Sequence, residues 1–223
     1  MFRIILRAKI RIILFFVFMV LLEACTGSSS TPANPPPQFI SGTALQAANT
    51  VVQKINQLQN GSGGLTPFVN LFDSSGVRFS ADYYIENSDL VLTASAFSSD
   101  YSLQNPPIKV WGIYDGRGDP ISMHIRDYFN RFVWNFPYHN YSANNATVQI
   151  INSDNDFKSQ GNLINNMLSF YPLSSQFRIV EYHQSGINPS NAGMDWTSLL
   201  VVLKNQGNSQ WTLVGLAHGA WTI

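Results

Sequence analysis

The chain has 223 residues, of which 45% are hydrophobic and 13% aromatic, and its 13 basic side chains balance 13 acidic ones. This length and apolar content suffice for one compact domain. Beyond residue 24, Lys and Arg are not clustered, so the mature chain lacks the charge with which proteins bind nucleic-acid phosphates, and we exclude nucleic acid as a partner. We also find no internal repeat and no pattern that implies a cofactor.

The first 24 residues have the pattern of a secretory signal peptide. An unbroken apolar run over residues 12–22 precedes a small residue, Ala24. The run is shorter than the roughly 20 residues that a membrane-spanning helix needs. Four basic residues stand before it: Arg3, Arg7, Lys9 and Arg11. We therefore expect residues 1–24 to be removed after export.

Cys25 follows this segment directly and is the only cysteine in the sequence. The residues Leu22-Glu23-Ala24-Cys25 resemble the lipobox of bacterial lipoproteins, and Glu23 departs from the small or apolar residue usual there. The resemblance implies cleavage before Cys25 and lipidation of its thiol. An internal disulfide is excluded because the sequence has no second cysteine. Several acyl chains would anchor the protein stably in a membrane.

Residues 25–40 are interpreted as the lipidated cysteine and a tether. The stretch from Thr26 to Gln38 is rich in Ser and Pro and has no apolar periodicity, which is typical of an extended linker. Thr26 stands where an Asp retains many bacterial lipoproteins in the inner membrane. We therefore expect the bacterial cell envelope as the location, and the outer membrane if the host has two.

The folded domain, expected over residues 41–223, begins with helical patterns. Apolar residues recur at helical spacing over 44–59, after a possible N-cap at Ser41 or Thr43. Apolar residues also fall on one helical face over 125–134. A further short helix is expected over 162–170.

Strand patterns dominate the end of the chain. Three runs rich in β-branched and apolar residues cover 176–184, 198–205 and 211–223, and the short polar link between the last two predicts an antiparallel hairpin. Earlier strands are expected over 76–85 and 108–114, the second closed by a glycine-rich turn. Early helices and late adjacent strands predict a single α+β domain, with helices on one face of a curved antiparallel sheet. Nuclear-transport-factor-2-like and cystatin-like folds are analogies based on element order alone.

Several phrases together resemble a family of uncharacterised bacterial lipoproteins and secreted proteins. The family carries a Gly-Val-Arg-Phe-Ser segment, a Trp-Gly-x-Tyr-Asp-Gly turn, a Met-Asp-Trp before a strand and a Trp-Thr-Ile ending. The resemblance covers most of residues 65–223 and implies no activity. The matching phrases are GVRFSADYYI (76–85), VWGIYDGRGDPI (110–121), YFNRFVW (128–134), MDWTSLLVVL (194–203) and WTLVGLAHGAWTI (211–223).

Four titratable residues are weak candidates for a catalytic site. Glu181 and His183 are two apart on an expected strand and so share one face. His218 lies on the last expected strand, and Asp195 lies just before the strand expected over 198–205. If these strands are neighbours, the four groups could meet at one edge of the sheet, where a carboxylate-oriented histidine could act in acid–base chemistry. The alternative is that these groups satisfy one another structurally. Their spacing supports no metal site.

Two further features leave a binding role open. Trp111, Trp196, Trp211 and Trp221 could line a groove for a glycan or an apolar ligand, although tryptophans in strands more often belong to the core. Arg78 could form an ion pair with Asp73 or Asp195, or hold the carboxylate of a ligand. The Arg-Gly-Asp stretch over 117–119 is interpreted as part of a turn.

These patterns predict a lipid-anchored envelope protein that acts as a binding or structural module, with a small molecule or glycan as a possible ligand. The alternative is a small envelope enzyme, of hydrolase or isomerase type, with a pocket between sheet and helices. We expect a monomer. Trp221 and Ile223 are too apolar to leave in water, so the last strand is expected to continue and bury Trp221.

Overall fold

The structure of the protein is a computed structural model, which describes residues 38–114, 117–142, 146–158, 165–173 and 176–220. The predictions for Cys25, for the tether before residue 38 and for Trp221 lie outside these residues. Among the described residues, no helix is both long and apolar enough to cross a membrane.

The first half of the domain consists of short strands and helices. Its elements are β1 (Ile40–Ser41), α1 (Ala44–Gln59), α2 (Thr66–Val69), β2 (Val77–Ser80), β3 (Leu90–Leu92) and α3 (Ala94–Ser102). The prediction of α1 is confirmed. Thr43 is its N-cap, because the Thr43 side chain accepts a hydrogen bond from the Gln46 amide while the Gln46 side chain accepts one from the Thr43 amide.

The second half carries most of the strand residues. Its elements are β4 (Lys109–Ile113), β5 (Pro120–Met123), α4 (Ile125–Tyr128), β6 (Ala146–Ile151), α5 (Asn165–Phe170), β7 (Phe177–Gln184), β8 (Thr197–Gly207) and β9 (Gln210–Ala220). α4 continues into a π-helical turn over Phe129–Val133, where the sequence predicted one regular helix. Short 3-10 turns lie at Tyr138–Asn140, Asp154–Asp156 and Pro189–Asn191.

One open seven-stranded sheet organises these elements, in the order β3-β2-β9-β8-β7-β6, with β1 also paired to β9. The predicted hairpin is confirmed, since β8 and β9 are antiparallel neighbours. The sheet was predicted to be antiparallel, but one pair of strands is parallel: β2 runs parallel to β9, with Arg78 opposite Gly215. β4 and β5 form a separate antiparallel pair, and the turn predicted between them includes residues 115–116, which lie outside the described residues.

Helices cover both faces of the sheet, which corrects the expectation of one covered face. On one face, α1 packs with Tyr182, Leu199 and Val201 in the larger core cluster. On the other, Met167 of α5 packs with Leu200 and other residues of β7, β8 and β9 in a smaller cluster. Neighbouring strand residues point to opposite faces, and the central strands are apolar at nearly every position, so both faces must be buried.

Candidate functional site

Two of the four candidate catalytic residues lie together on the face that α5 covers. Ser198 of β8 stands between them: its hydroxyl donates to Glu181 Oε1 at 2.9 Å and lies 2.8 Å from His183 Nδ1. Because the Ser198 hydroxyl donates its proton to the Glu181 carboxylate, Nδ1 of His183 is protonated and donates a hydrogen bond to the Ser198 oxygen. The lone pair on Nε2 then makes this histidine a possible base.

The surroundings of Glu181 also fit a structural role. Its side chain is fully buried, and its Oε2 accepts hydrogen bonds from Gln149 Nε2 at 3.1 Å and from the Lys158 amide at 2.8 Å. Burial lowers the pKa of His183, and the neighbouring Glu181 partly opposes that effect. A buried carboxylate needs such donors whether or not it takes part in chemistry.

The other two candidates do not join this group. His218 is paired with Leu199, one position along β8 from Ser198, so it points to the opposite face and packs against the Phe132 ring at 5.5 Å. Asp195 lies in the loop before β8, where its Oδ2 accepts from the amides of Ile187 and Asn188. The proposed convergence of all four side chains is therefore wrong.

The tryptophans divide between the core and the cluster around His183. Trp111 is fully buried and its Nε1 donates to the Met123 carbonyl, while Trp211 is buried and donates to the Gly42 carbonyl. Trp196 is half-buried, with its ring 5.7 Å from that of His183. The core interpretation holds for Trp111 and Trp211, and these two side chains do not line a groove.

Arg78 of β2 forms neither of the ion pairs expected from the sequence. Its Nη1 donates to the backbone oxygens of Glu86 at 2.9 Å and Asp89 at 3.3 Å, and its guanidinium lies 5.2 Å from the centre of the Phe170 ring. Neither of the two salt bridges found among the described residues includes Arg78. This half-buried cation therefore lacks a carboxylate partner within 4 Å in the described part of the chain.

Asp73 is instead the centre of a separate polar network. Its Oδ2 accepts from Gln206 Nε2 at 2.9 Å and Thr212 Oγ1 at 2.8 Å, and lies 3.5 Å from Lys204 Nζ. Burial raises the pKa of Asp73, but hydrogen bonds from Ser75 and Thr212 outweigh this effect and leave it below the usual value. Asp73 is thus held ionised beside Lys204.

A cavity of about 280 Å³ is lined by both of these basic side chains and lies between β2, β3, β8, β9 and the residues at Tyr171 and Phe177 that follow α5. Its polar lining includes Arg78, Lys204 and the Tyr171 hydroxyl, and its apolar lining includes Val91, Phe177 and Val214. Pockets that combine apolar walls with a few polar groups are typical ligand sites. The sequence pointed to Arg78 alone in this set, because the other residues join it only through strand pairing.

A smaller cavity of about 110 Å³ lies on the other side of the Glu86–Asp89 loop and is lined by Asp82, Glu86, Asp89 and Tyr114 among others. Asp89 Oδ2 accepts from Ser80 Oγ at 2.6 Å and from the Glu86 amide at 2.9 Å. Burial raises the pKa of Asp89, partly against these hydrogen bonds and the Arg78 charge. Neither cavity contains His183 or Asp195, and the described residues include no cluster of three or more side chains suited to a metal ion.

Sequence reasoning missed Ser198, Lys204 and Tyr171. Ser198 had a partial signal, since it begins the strand predicted over 198–205 and lies opposite His183 once that strand pairs with the one before it. Lys204 and Tyr171 had none, because their neighbours are distant in the sequence. Comparison with known proteins finds no matching family model, no matching curated protein and no matching solved structure.

Proposed function

We propose that this protein is a lipid-anchored binding module of the bacterial cell envelope, and that its folded domain takes up a small ligand in the cavity beside Arg78 and Lys204. The signal pattern and Cys25 support the anchor, and the mixed lining of the cavity supports the binding role. The ligand is small, since about 280 Å³ lies just below the roughly 300–1,000 Å³ of drug-sized sites.

One observation carries the binding role: Arg78 is a cation in a cavity wall that is not paired with a described carboxylate. A half-buried guanidinium costs free energy to desolvate, and backbone oxygens offset only part of that cost. Arg78 also differs from Lys204, whose charge is balanced by Asp73. A ligand carboxylate would give Arg78 the anionic partner that the described residues do not supply within 4 Å.

The test is whether a small molecule stays bound through purification of the full-length protein. We expect native mass spectrometry to show a bound mass in the wild type and to lose it in Val91→Trp, because an indole at this exposed cavity wall fills the space without disturbing the core. Ile108→Trp is the matched control: Ile108 is 64% exposed and does not line the cavity. A bound mass that persists in Val91→Trp would place the ligand elsewhere.

The hydrogen-bonded chain from Glu181 through Ser198 to His183 supports a second candidate, an envelope enzyme with His183 as a base. A histidine whose tautomer is fixed by a buried carboxylate has the orientation that general-base catalysis requires. His183 is, however, buried, with 8% of the residue exposed, and it lines neither described cavity. We therefore place the binding module first.

A further inference from the structure

We propose that the cavity beside Arg78 recognises a monocarboxylate with a short apolar body, with the carboxylate against the Arg78 guanidinium and the apolar part against Val91, Phe177 and Val214. This inference rests on the proposed function and names the class of ligand. Three features lead to it: the donor geometry at Arg78, the net charge of the lining and the apolar side chains that lie directly beside the two cations.

The guanidinium is held in place before any ligand arrives. Hydrogen bonds from Nη1 to Glu86 and Asp89 fix one end of the group, and the Phe170 ring supports its plane. A planar guanidinium offers pairs of parallel N–H donors that match the two oxygens of a carboxylate. Because the side chain is already ordered, little conformational entropy is lost when the ligand binds.

The charge of the lining favours a monoanion. Lys204 lies 3.5 Å from the ionised Asp73, so this pair contributes almost no net charge to the cavity. Among the described residues no carboxylate lines this cavity, since Glu86 and Asp89 line the smaller cavity instead. Arg78 thus supplies about one positive charge. One carboxylate balances that charge, whereas a phosphate dianion would leave a negative charge that is partly desolvated.

The apolar walls set the shape of the rest of the ligand. Val91 of β3 and Val214 of β9 line the cavity near Arg78, and the Phe177 ring at the start of β7 closes another side. Gly215 lets Tyr171 pack closely on the sheet beside the cavity, because a Cβ at this position would lie 3.0 Å from the Tyr171 hydroxyl. An aliphatic chain or a single ring fits these walls, and the hydrophobic effect adds to its binding.

The experiment compares four probes by isothermal titration of the full-length protein: hexanoate, 1-hexanol, hexylammonium and inorganic phosphate. We expect hexanoate to bind roughly 10- to 100-fold more tightly than hexanol, which is the range for hydrogen bonds to a charged group. Arg78→Gln should remove that difference. Arg78→Lys should keep part of it, because the charge remains while the paired donors are lost.

Arg126→Gln is the matched control, since Arg126 also packs over an aromatic ring, Tyr101, and donates to its backbone oxygen, but lies outside the cavity. Hexanoate binding should be unchanged in this variant. If Arg78→Gln does not fold, Val91→Trp provides the second variant, and it should lose hexanoate binding.

The outcomes separate the ligand class from the binding role. One outcome is that hexanol or hexylammonium binds as tightly as hexanoate and that Val91→Trp abolishes this binding. This result would overturn the monocarboxylate as the ligand class but keep the cavity as a binding site. Phosphate that binds more tightly than hexanoate and depends on Arg78 would overturn it in favour of a dianion. If no probe binds, the inference fails, and persistence of the purified ligand in Val91→Trp would show that the proposed function fails with it.

Discussion

At the scale of single residues, the domain contains polar side chains that sequence reasoning grouped by type and that the structure separates by face. Glu181 and His183 share a face as their spacing predicted, and Ser198 joins them. His218 could not be assigned correctly from the sequence, because its face depends on the register between β8 and β9. Arg78 was recognised as unusual, but the lack of a carboxylate partner emerges only from the fold.

His218 should make the protein less stable in mild acid. Burial lowers its pKa to about 4 in the folded state, against about 6.5 for an exposed histidine, so the unfolded chain takes up a proton first as the pH falls. Its contribution is fully present above pH 6.5 and is lost as the pH falls toward 4, by roughly 3 kcal/mol at most.

Urea unfolding of the wild type and His218→Leu at a series of pH values measures this effect. Other groups titrate in both proteins, so the difference between the two curves isolates His218. We expect the loss of free energy of unfolding between pH 6.5 and 4 to be smaller in His218→Leu. Parallel curves would mean that His218 is accessible to protons in the folded state.

At the scale of elements, the sequence patterns predicted the helix and the hairpin whose formation depends on residues close together in the chain. α1 was predicted because its N-cap and apolar spacing lie within the helix and its flanks, and the β8–β9 hairpin because its turn is short. The parallel pairing of β2 with β9 was not predicted, since it joins Arg78 to a strand more than a hundred residues away. The same long-range pairing assembles the cavity, and for this reason the sequence identified only Arg78 among the residues that line it.

The N-terminal segment is the element that we expect to determine location. Cys25→Ala should abolish labelling by palmitate and leave the precursor uncut or the product soluble, because the thiol is the only acylation site that the lipobox resemblance implies. Thr26→Ala is the control and should still be labelled. Metabolic labelling followed by detergent partition measures both effects. Palmitate incorporation into Cys25→Ala would refute the anchor.

At the scale of the whole molecule, a mixed sheet is covered on both faces. The larger core cluster packs on the face beneath α1, and the smaller cluster packs on the other face with Met167 of α5. The cavity is lined by residues of β2 and β3 and by Tyr171, which follows α5. The proposed binding role rests on this cavity together with the charge of Arg78.

The most direct measurement is a crystal structure of the protein with 6-bromohexanoate, using the anomalous signal of bromine to locate the ligand. We expect bromine among Val91, Phe177 and Val214, and the carboxylate within hydrogen-bonding distance of the Arg78 guanidinium. Bromine at any other position, or a carboxylate that points away from Arg78, would contradict the proposed binding mode.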